Sequence, residues 1–342
     1  MKHAASRWRE GAAKLATALP RGRLHSAVLR WADARPRNET WSVGFSGGAD
    51  SLALLLLLWA HWPQRRPRLR AMHFNHRLRG AAARADAEFC RRTCRALGLA
   101  FTAGAWGDAP KTASEALARN ARFAYFGREM RKRRIRVLWL GHHQDDVAET
   151  LLMRLARGSG SSGLAAPRPV QAAPAGEFRL RPLLNLKKSE IAAALRAAGL
   201  SWREDASNAG SGHFRNRLRR RVVPAWVKAA GRDAVAGAAR ARELLEEDDR
   251  ALEARVDRLR PLTRAGRLDL RRLAGEPRAV IRRALYRWIL AQRTGGDLSR
   301  QGFEALLSAV ERGAPVRHSF GAHGFAVIRD DRLRFEPPAA NR

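Results

Sequence analysis

A short glycine-rich segment combines the residue types that phosphate chemistry requires. It reads Ser-Gly-Gly-Ala-Asp-Ser, after an apolar stretch and before a leucine-rich run. Paired glycines let a chain turn sharply beside a ligand, and backbone N–H groups at a helix start bind anions. Serine hydroxyls donate hydrogen bonds, and Asp50 can hold a cation that bridges phosphates. We expect a phosphate site here; the alternative is an ordinary capped turn. Its predicted residues are Ser46, Gly47, Gly48, Ala49, Asp50 and Ser51.

A second segment, GHHQDDVAET at residues 141–150, carries three carboxylates. On a helix, Glu149 lies on the same face as Asp145 and Asp146. Neighbouring carboxylates need a metal, another cation or a proton between them, so we predict that Asp50 and Glu149 share one magnesium ion. Magnesium prefers oxygen ligands, so the two histidines of the segment are assigned to shaping the site. The alternative is helix capping by the aspartates, with Glu149 in solvent.

The charge of the chain favours a polyanionic partner. Lys and Arg number 66 against 32 Asp and Glu, which gives a net charge of +34 over 342 residues. Such an excess is typical of proteins that bind nucleic acid. Basic residues cluster at 131–136 and 215–221. Either cluster is also compatible with a solvated surface, but the second lies among motif residues, so we favour phosphate contact there.

Neither secretion nor membrane insertion is indicated by the sequence. The first forty residues lack an apolar signal core, and the leucine-rich run at 52–59 is too short to span a bilayer. Cys90 and Cys94 are the only cysteines, and they fall on one face of a predicted helix. We expect them in the core, which is typical of a cytoplasmic protein. A homodimer is a possible assembly that the sequence does not test.

Strands and helices alternate along the first two thirds of the chain. Strands are predicted at 40–45, 69–75, 100–105, 137–141 and 178–183, and helices at 51–61, 85–97, 114–133, 145–157 and 189–198. Repeated β-α-β units predict an α/β fold with a doubly wound parallel sheet and ligands at the carboxyl ends of the strands. The Gly-, Ser- and Pro-rich stretch 158–177 is either a mobile lid or a plain surface loop.

The motifs, taken in order, resemble a known family. Besides the loop they are FNHRLRG (74–80), ARNARF (118–123), GHHQDDVAET (141–150), RGSG (157–160), RPLL (181–184), WREDASN (202–208) and RNRLR (215–219), followed by Pro224. The glycine-rich loop resembles the PP-loop of the ATP pyrophosphatases. The full series, from about Trp41 to Trp226, is similar to the tRNA(Ile)-lysidine synthetases, whose C-terminal module is more faintly matched at 268–335.

This resemblance implies a fold, an activity and partners. The fold is Rossmann-like, of the adenine nucleotide α-hydrolase type, followed by a smaller, mostly helical C-terminal module. The activity uses ATP and Mg²⁺ to adenylate the wobble cytidine of the isoleucine tRNA with a CAU anticodon. The side-chain amine of free L-lysine then displaces AMP, giving lysidine. No membrane partner is expected.

The resemblance and the residue chemistry together give a predicted site. Catalytic roles are assigned to Asp50, Asp146, Glu149 and Arg119, with Asp146 holding the lysine ammonium and taking its proton. ATP contacts are assigned to the glycine-rich loop, His73 and Gly141. Contacts with tRNA or substrate are assigned to Asn75, His76, Arg79, Arg122, Asp145, Arg215, Asn216 and Arg219.

Four regions are predicted: a basic helical extension (1–38), the PP-loop ATP-binding domain (39–213), a basic motif with a long helical connector (214–260), and a small helical module with a terminal hairpin (261–342). The chain departs from the family pattern at Phe45 and Ala206, and it ends at Arg342. It therefore resembles the short forms, which lack a further C-terminal domain. Two rival functions remain, another PP-loop enzyme such as a tRNA thiolase, and a non-catalytic RNA-binding protein.

Overall fold

The structure is a computed structural model that describes residues 2–76, 80–107, 110, 113–173, 176–204, 214–292 and 298–338. The chain divides into two compact units, Met1–Leu244 and Leu245–Arg342. None of the described helices is long and apolar enough to cross a membrane.

The first unit contains a six-stranded sheet. Its strands are β1 (Trp41–Gly44), β2 (Leu69–Asn75), β3 (Ala100–Ala105), β4 (Val137–Trp139), β5 (Val170–Ala173) and β6 (Glu177–Leu180). Their order is β3-β2-β1-β4-β6-β5. The pairs β1–β2, β2–β3, β1–β4 and β4–β6 are parallel, and β5 is antiparallel to β6. The predicted doubly wound parallel sheet is therefore confirmed, with one antiparallel edge strand added.

Helices connect and cover these strands. In the first unit they are α1 (Lys2–Ala18), α2 (Ser26–Asp33), α3 (Ala49–His61), α4 (Gly80–Leu97), α5 (Glu115–Lys132), α6 (Gln144–Leu155), α7 (Ser161–Leu164), α8 (Lys188–Ala197), α9 (Phe214–Arg217) and α10 (Val223–Ala230). A π-helical segment, Leu218–Val222, joins α9 to α10. The long helix α11 (Ala234–Leu259) contains the boundary between the two units. That boundary lies inside the predicted connector 214–260.

Helix α3 is the centre of the first unit's core. Its residues from Leu52 to Leu58 are at most 1% exposed, because a helix that is apolar on all sides must be covered on all sides. Helices α1 and α2 contribute Leu15 and Val28 to the same core, and Leu24, in the segment between them, joins it. The predicted N-terminal extension 1–38 is therefore packed into the first unit. Cys90 and Cys94 are fully buried in this core, as predicted.

The segment 158–177, which we predicted as a lid or a loop, contains regular structure. It includes α7 and the strand β5, which pairs with β6 from Val170 to Ala173. The end of the segment is thus held in the sheet by backbone hydrogen bonds, so a lid can involve only the residues before β5.

The second unit packs the C-terminal part of α11 and two further helices with an antiparallel sheet. The further helices are α12 (Arg278–Ala291) and α13 (Arg300–Arg312), and the strands are β7 (Leu268–Asp269), β8 (Val316–Ser319), β9 (Phe325–Arg329) and β10 (Arg332–Glu336). The strand order is β7-β10-β9-β8. The predicted terminal hairpin is the pair β9–β10, whereas β7 and β8 were not predicted. Trp288 and Leu306 are fully buried in this unit's own core.

Candidate functional site

The glycine-rich loop joins the end of β1 to the start of α3, where Gly48 is the N-cap residue. Gly47 has φ of 93°, a left-handed conformation that favours glycine. The two serines brace the turn: the Ser46 N–H donates to Ser51 Oγ at 3.2 Å, and Ser51 Oγ donates to the Gly48 carbonyl at 3.0 Å. The backbone N–H groups at the N-terminus of α3 are therefore available to bind an anion.

Gly141 lets the end of β4 approach this loop. A Cβ atom at Gly141 would lie 2.9 Å from the Asp50 carbonyl oxygen and 3.2 Å from the Ser51 nitrogen. Both atoms belong to the backbone, which cannot move aside as a side chain can. Only glycine fits at this position, and its role is to seat the loop against the neighbouring strand.

A cavity of about 310 Å³ opens in front of the loop, a size within the range of small-ligand pockets. One wall is polar and includes Ser46, Asp50 and Ser51, while Phe126 and Leu140 contribute an apolar wall. The remaining lining residues are Gly44, Phe45, Gly48, His73, Phe74, Asn75, His76, Ala83, Asp86, Arg122, Gly141, His142, Arg203 and Glu204. The lining thus combines polar groups with an apolar part.

Arg203 ties a distant segment to the loop. Its backbone N–H donates to the Gly47 carbonyl at 3.0 Å. Its Nε donates to Asp86 Oδ1 on α4 at 2.8 Å. The loop is thereby held at Gly47 by a second segment of the chain, in addition to the contact at Gly141.

Three carboxylates surround His143, the N-cap residue of α6. Its Nε2 lies 3.5 Å from Asp50 Oδ2 and 3.5 Å from Asp146 Oδ2, and its Nδ1 lies 3.3 Å from Asp145 Oδ2. Burial opposes the charged form of His143, but Asp146, Asp145 and Asp50 outweigh it and raise its pKa to about 10. A protonated His143 therefore stabilises the carboxylate cluster.

Arg215 and Arg219 bind the other side of this cluster. Arg215 Nε donates to Glu149 Oε2 at 2.6 Å, and Arg219 Nε donates to Glu149 Oε1 at 2.6 Å. Arg215 also forms an ion pair with Asp146. Burial would raise the pKa of Asp146, but His143 and Arg215 lower it well below its usual range. The sequence interpretation assigned both arginines to tRNA, whereas their guanidinium groups are engaged inside the protein.

Of the two side chains predicted to bind magnesium, Asp50 has an oxygen available for the ion and Glu149 does not. Oδ1 of Asp50 is buried without a hydrogen-bond partner, as expected of an atom that receives a cation. Glu149 is 1% exposed, and each of its oxygens already accepts from an arginine. Among the residues that the structure describes, no group of three or more His, Cys, Asp or Glu side chains forms a metal site. Magnesium binding by Asp50 and Glu149 together stays a prediction.

Beside the carboxylates lies a set of arginines around Phe123. The Cζ atoms of Arg119, Arg122 and Arg179 are 4.8, 5.6 and 4.4 Å from the ring centroid. Burial and the positive charge of Arg181 lower the pKa of His142, next to them, well below its usual value. The imidazole is therefore neutral, while the surrounding guanidinium groups are charged.

Residues 23–226 match the model of the PP-loop domain, a match that covers more than half of the chain. The chain belongs to the PP-loop family. Membership implies the use of ATP, and the loop at Ser46 and the cavity in front of it are the corresponding features of this structure.

Curated relatives share a substantial part of the sequence. The chain is 38% identical over 281 residues to a protein of Geobacter sulfurreducens named tRNA(Ile)-lysidine synthase, covering 79% of this chain and 58% of that protein. A protein of the same name from Symbiobacterium thermophilum is 37% identical over 306 residues, covering 84% of this chain and 62% of that one. The chain therefore spans about three fifths of the length of these two relatives.

A solved structure has the same fold. It is a U34-tRNA thiolase from Methanococcus maripaludis with its [4Fe-4S] cluster, with a TM-score of 0.53 at 20% identity. The match covers 70% of this chain and 80% of that chain. At this identity the likeness supports the fold alone.

The structure brings most of the predicted site residues together at the PP-loop cavity. The lining includes Ser46, Gly48, Asp50, Ser51, His73, Asn75, His76, Arg122 and Gly141. Gly47 and Ala49 belong to the loop but do not line the cavity. Asp145, Asp146, Glu149, Arg215 and Arg219 form the adjoining ion-pair network, with Asn216 on the same short helix as Arg215. Arg119 lies at Phe123, and Arg79 is outside the described residues.

Some lining residues were not predicted as site residues. Arg203 and Glu204 belong to the WREDASN motif, so the motif could have predicted them as site residues. Phe126 and Leu140 carry no such signal, because apolar residues of a helix and a strand end are ordinarily core residues.

Proposed function

We propose that this PP-loop protein joins free L-lysine to the wobble cytidine of the isoleucine tRNA with a CAU anticodon. The observation that carries the proposal is the identity of 38% and 37%, over 79% and 84% of this chain, with relatives named tRNA(Ile)-lysidine synthase. The net charge of +34 supports a tRNA substrate.

ATP lies in the cavity in this proposal. The backbone N–H groups at the start of α3 bind its phosphates, and the apolar wall formed by Phe126 and Leu140 takes the adenine ring. A Cβ at Gly44 would lie 3.3 Å from Leu140 and 3.4 Å from Phe126, so the glycine leaves this wall open. Asp50 holds a magnesium ion, which neutralises phosphate charge when bound.

The reaction has two steps. The ring carbonyl oxygen of cytidine attacks the α-phosphorus of ATP, and pyrophosphate leaves. The lysine amine then attacks the carbon that bears this oxygen, AMP leaves, and the amine loses a proton. Arg122, on the cavity wall, places a fixed positive charge beside the reacting phosphate.

The lysine ammonium binds at Asp146, whose side chain is 11% exposed. Glu149 is not used, because it is buried and each of its oxygens already accepts from an arginine. Because the pKa of Asp146 is lowered, its carboxylate stays ionised at neutral pH but is a weak proton acceptor. The proposal therefore assigns Asp146 to holding the ammonium and leaves its deprotonation to another group or to water.

A thiolase is the rival reaction, and the cysteines argue against it. Cys90 and Cys94, the only two in the sequence, are buried and free. Burial raises the pKa of Cys94 to about 12 and also raises the pKa of Cys90. A thiol with a raised pKa is a poor nucleophile and a poor cluster ligand, because both roles require the thiolate.

The test combines the protein with ATP, magnesium and the CAU-bearing isoleucine tRNA, with and without lysine. We expect pyrophosphate and AMP release, and a tRNA product heavier by one lysine minus water, measured by mass spectrometry. Asp50→Asn is expected to abolish both releases while leaving the thermal melt nearly unchanged. Incorporation of sulfur or ammonia in place of lysine, or equal modification of initiator methionine tRNA, would overturn the proposal.

A further inference from the structure

Three arginine side chains lie close to the ring of Phe123. The proposed adenylation step uses only one of them, Arg122. Arg119, Arg122 and Phe123 lie on α5, and Arg179 lies on β6. The closest guanidinium, that of Arg179, is 4.4 Å from the ring centroid, and that of Arg119 is 4.8 Å away. An arginine within about 6 Å of an aromatic ring is attracted to it and oriented by it.

The carboxylates that act on the cluster, Asp146 and Glu115, do so only from beyond ion-pair distance. In the described parts of the chain, no carboxylate lies within ion-pair distance of Arg119, Arg122 or Arg179, and Arg122 Nε is buried without a hydrogen-bond partner. Arg215 differs, because it is neutralised by Asp146 and Glu149. Burial and the positive charges of Arg122, Arg215 and Arg179 lower the pKa of Arg119 to about 10. Positive groups that repel one another in this way gain from a bound anion.

The cluster extends outward from the PP-loop cavity. Arg122 lines the cavity, whereas Arg119 and Arg179 are not among its lining residues. Both of these arginines remain partly exposed, so an anion outside the cavity can reach them. A nucleotide in the cavity therefore contacts Arg122 and leaves the other two guanidinium groups available to a second phosphate.

We propose that Arg119 and Arg179, held against Phe123, bind a backbone phosphate of the RNA strand that carries the target base. The planar fork of arginine suits a phosphate, and a phosphate contact positions a strand without reading its sequence. Binding there places a nucleotide of the strand at the mouth of the cavity, next to Arg122. The identity of the anion as RNA rests on the proposed function.

The test compares Arg179→Ala with Arg128→Ala. Arg128 is a matched control, because it is an exposed arginine of α5 whose Cζ lies 5.8 Å from a different ring, that of Tyr125. Binding of a CAU anticodon stem-loop RNA is measured over a range of salt concentrations, and the KM for ATP is measured in pyrophosphate release with saturating RNA. We expect Arg179→Ala to weaken RNA binding roughly tenfold. We expect it to lower the log–log salt slope by about 0.7.

Two further variants keep the test independent of folding. Arg179→Lys is expected to retain the salt slope with an intermediate affinity, because it keeps the charge and loses the fork. Phe123→Leu is expected to weaken RNA binding while keeping every charge. The KM for ATP and the binding by Arg128→Ala are expected to match the parent protein.

Two results would overturn the proposal. A raised KM for ATP with unchanged RNA binding would assign the cluster to the phosphates of ATP. Equal RNA binding by Arg179→Ala, Arg179→Lys and Arg128→Ala would make the cluster structural. Because the RNA-binding measurement contains no lysine and no turnover, a parent protein that binds this RNA but makes no lysidine would refute the proposed function and leave this site standing.

Discussion

Replacing Glu149 by glutamine tests whether this carboxylate is an ion-pair partner of arginines or a magnesium ligand. In the structure its side chain is 2% exposed and pairs with Arg215 and Arg219, whose side chains are 16% and 30% exposed. The substitution removes one negative charge and leaves both guanidinium groups in place, with Asp146 as the remaining partner of Arg215. Breaking a buried ion pair from one side typically costs about 3 kcal/mol or more, because the other charge stays buried.

A loss of this size is readily measured. With a slope of about 3 kcal/mol per molar urea, the denaturation midpoint of Glu149→Gln falls by roughly 1 M. Glu115→Gln is the matched control, because Glu115 faces the same Arg215 at 3.6 Å but its side chain is 43% exposed. An exposed pair contributes less than about 1 kcal/mol, so the control should lower the midpoint far less.

The magnesium dependence of pyrophosphate release decides between the two roles. If Glu149 is an ion-pair partner, Glu149→Gln lowers stability and leaves the magnesium concentration for half-maximal release unchanged. If Glu149→Gln instead unfolds at the same urea concentration as the parent and needs far more magnesium, the reasoning from the ion pairs is refuted. Glu149 would then be a metal ligand, as the sequence interpretation has it.

Three further outcomes follow from the geometry. Gly141→Ala should lower the melting temperature and raise the KM for ATP, at a cost of about 1–3 kcal/mol, because its Cβ meets the loop backbone at 2.9 Å; Gly22→Ala, with no atom within 4 Å, should do neither. Cys90 and Cys94 should react with a thiol reagent at pH 8 only after unfolding, since burial raises both pKa values; fast labelling of the native protein would contradict their placement. Burial lowers the pKa of His73, so this histidine takes up a proton near pH 6.5 in the unfolded state but stays neutral in the folded state. The free energy of unfolding should therefore fall as pH decreases below 7, by less in His73→Gln, and an identical pH profile for this variant would show that His73 does not contribute.

The sequence predicted features that depend on local residue types. The turn at Gly47 needs glycine for its left-handed φ, and the leucines of α3 predict a helix buried on all sides, so both are visible in the order of residues. The partner of Glu149 is not visible in this way, because Arg215 is 66 positions away and nothing near either residue marks the pair. A carboxylate on a polar helix face matches a metal ligand and an ion-pair partner equally well.

Weak sheet elements were missed for a related reason. Strand β5 (Val170–Ala173) lies in a stretch rich in glycine, serine and proline, which predicts a loop. Strand β7 has two residues and β8 has four, too few for an alternating pattern to stand out. Their conformation is set by the neighbouring strand, which supplies the backbone hydrogen bonds.

The burial of helix α1 has a consequence for the order in which the chain folds. Leu15 of this helix is fully buried, and Gly11 lies so close to Leu200 that a Cβ there would be 2.6 Å from its side chain. The backbone N–H of His25, just before α2, likewise donates to Pro182 at 2.9 Å. During synthesis at about 5 to 20 residues per second, the first helix is made on the order of 10 to 40 s before its partner. Throughout that interval the apolar surface of α3, which α1 and α8 cover in the folded unit, is incompletely buried.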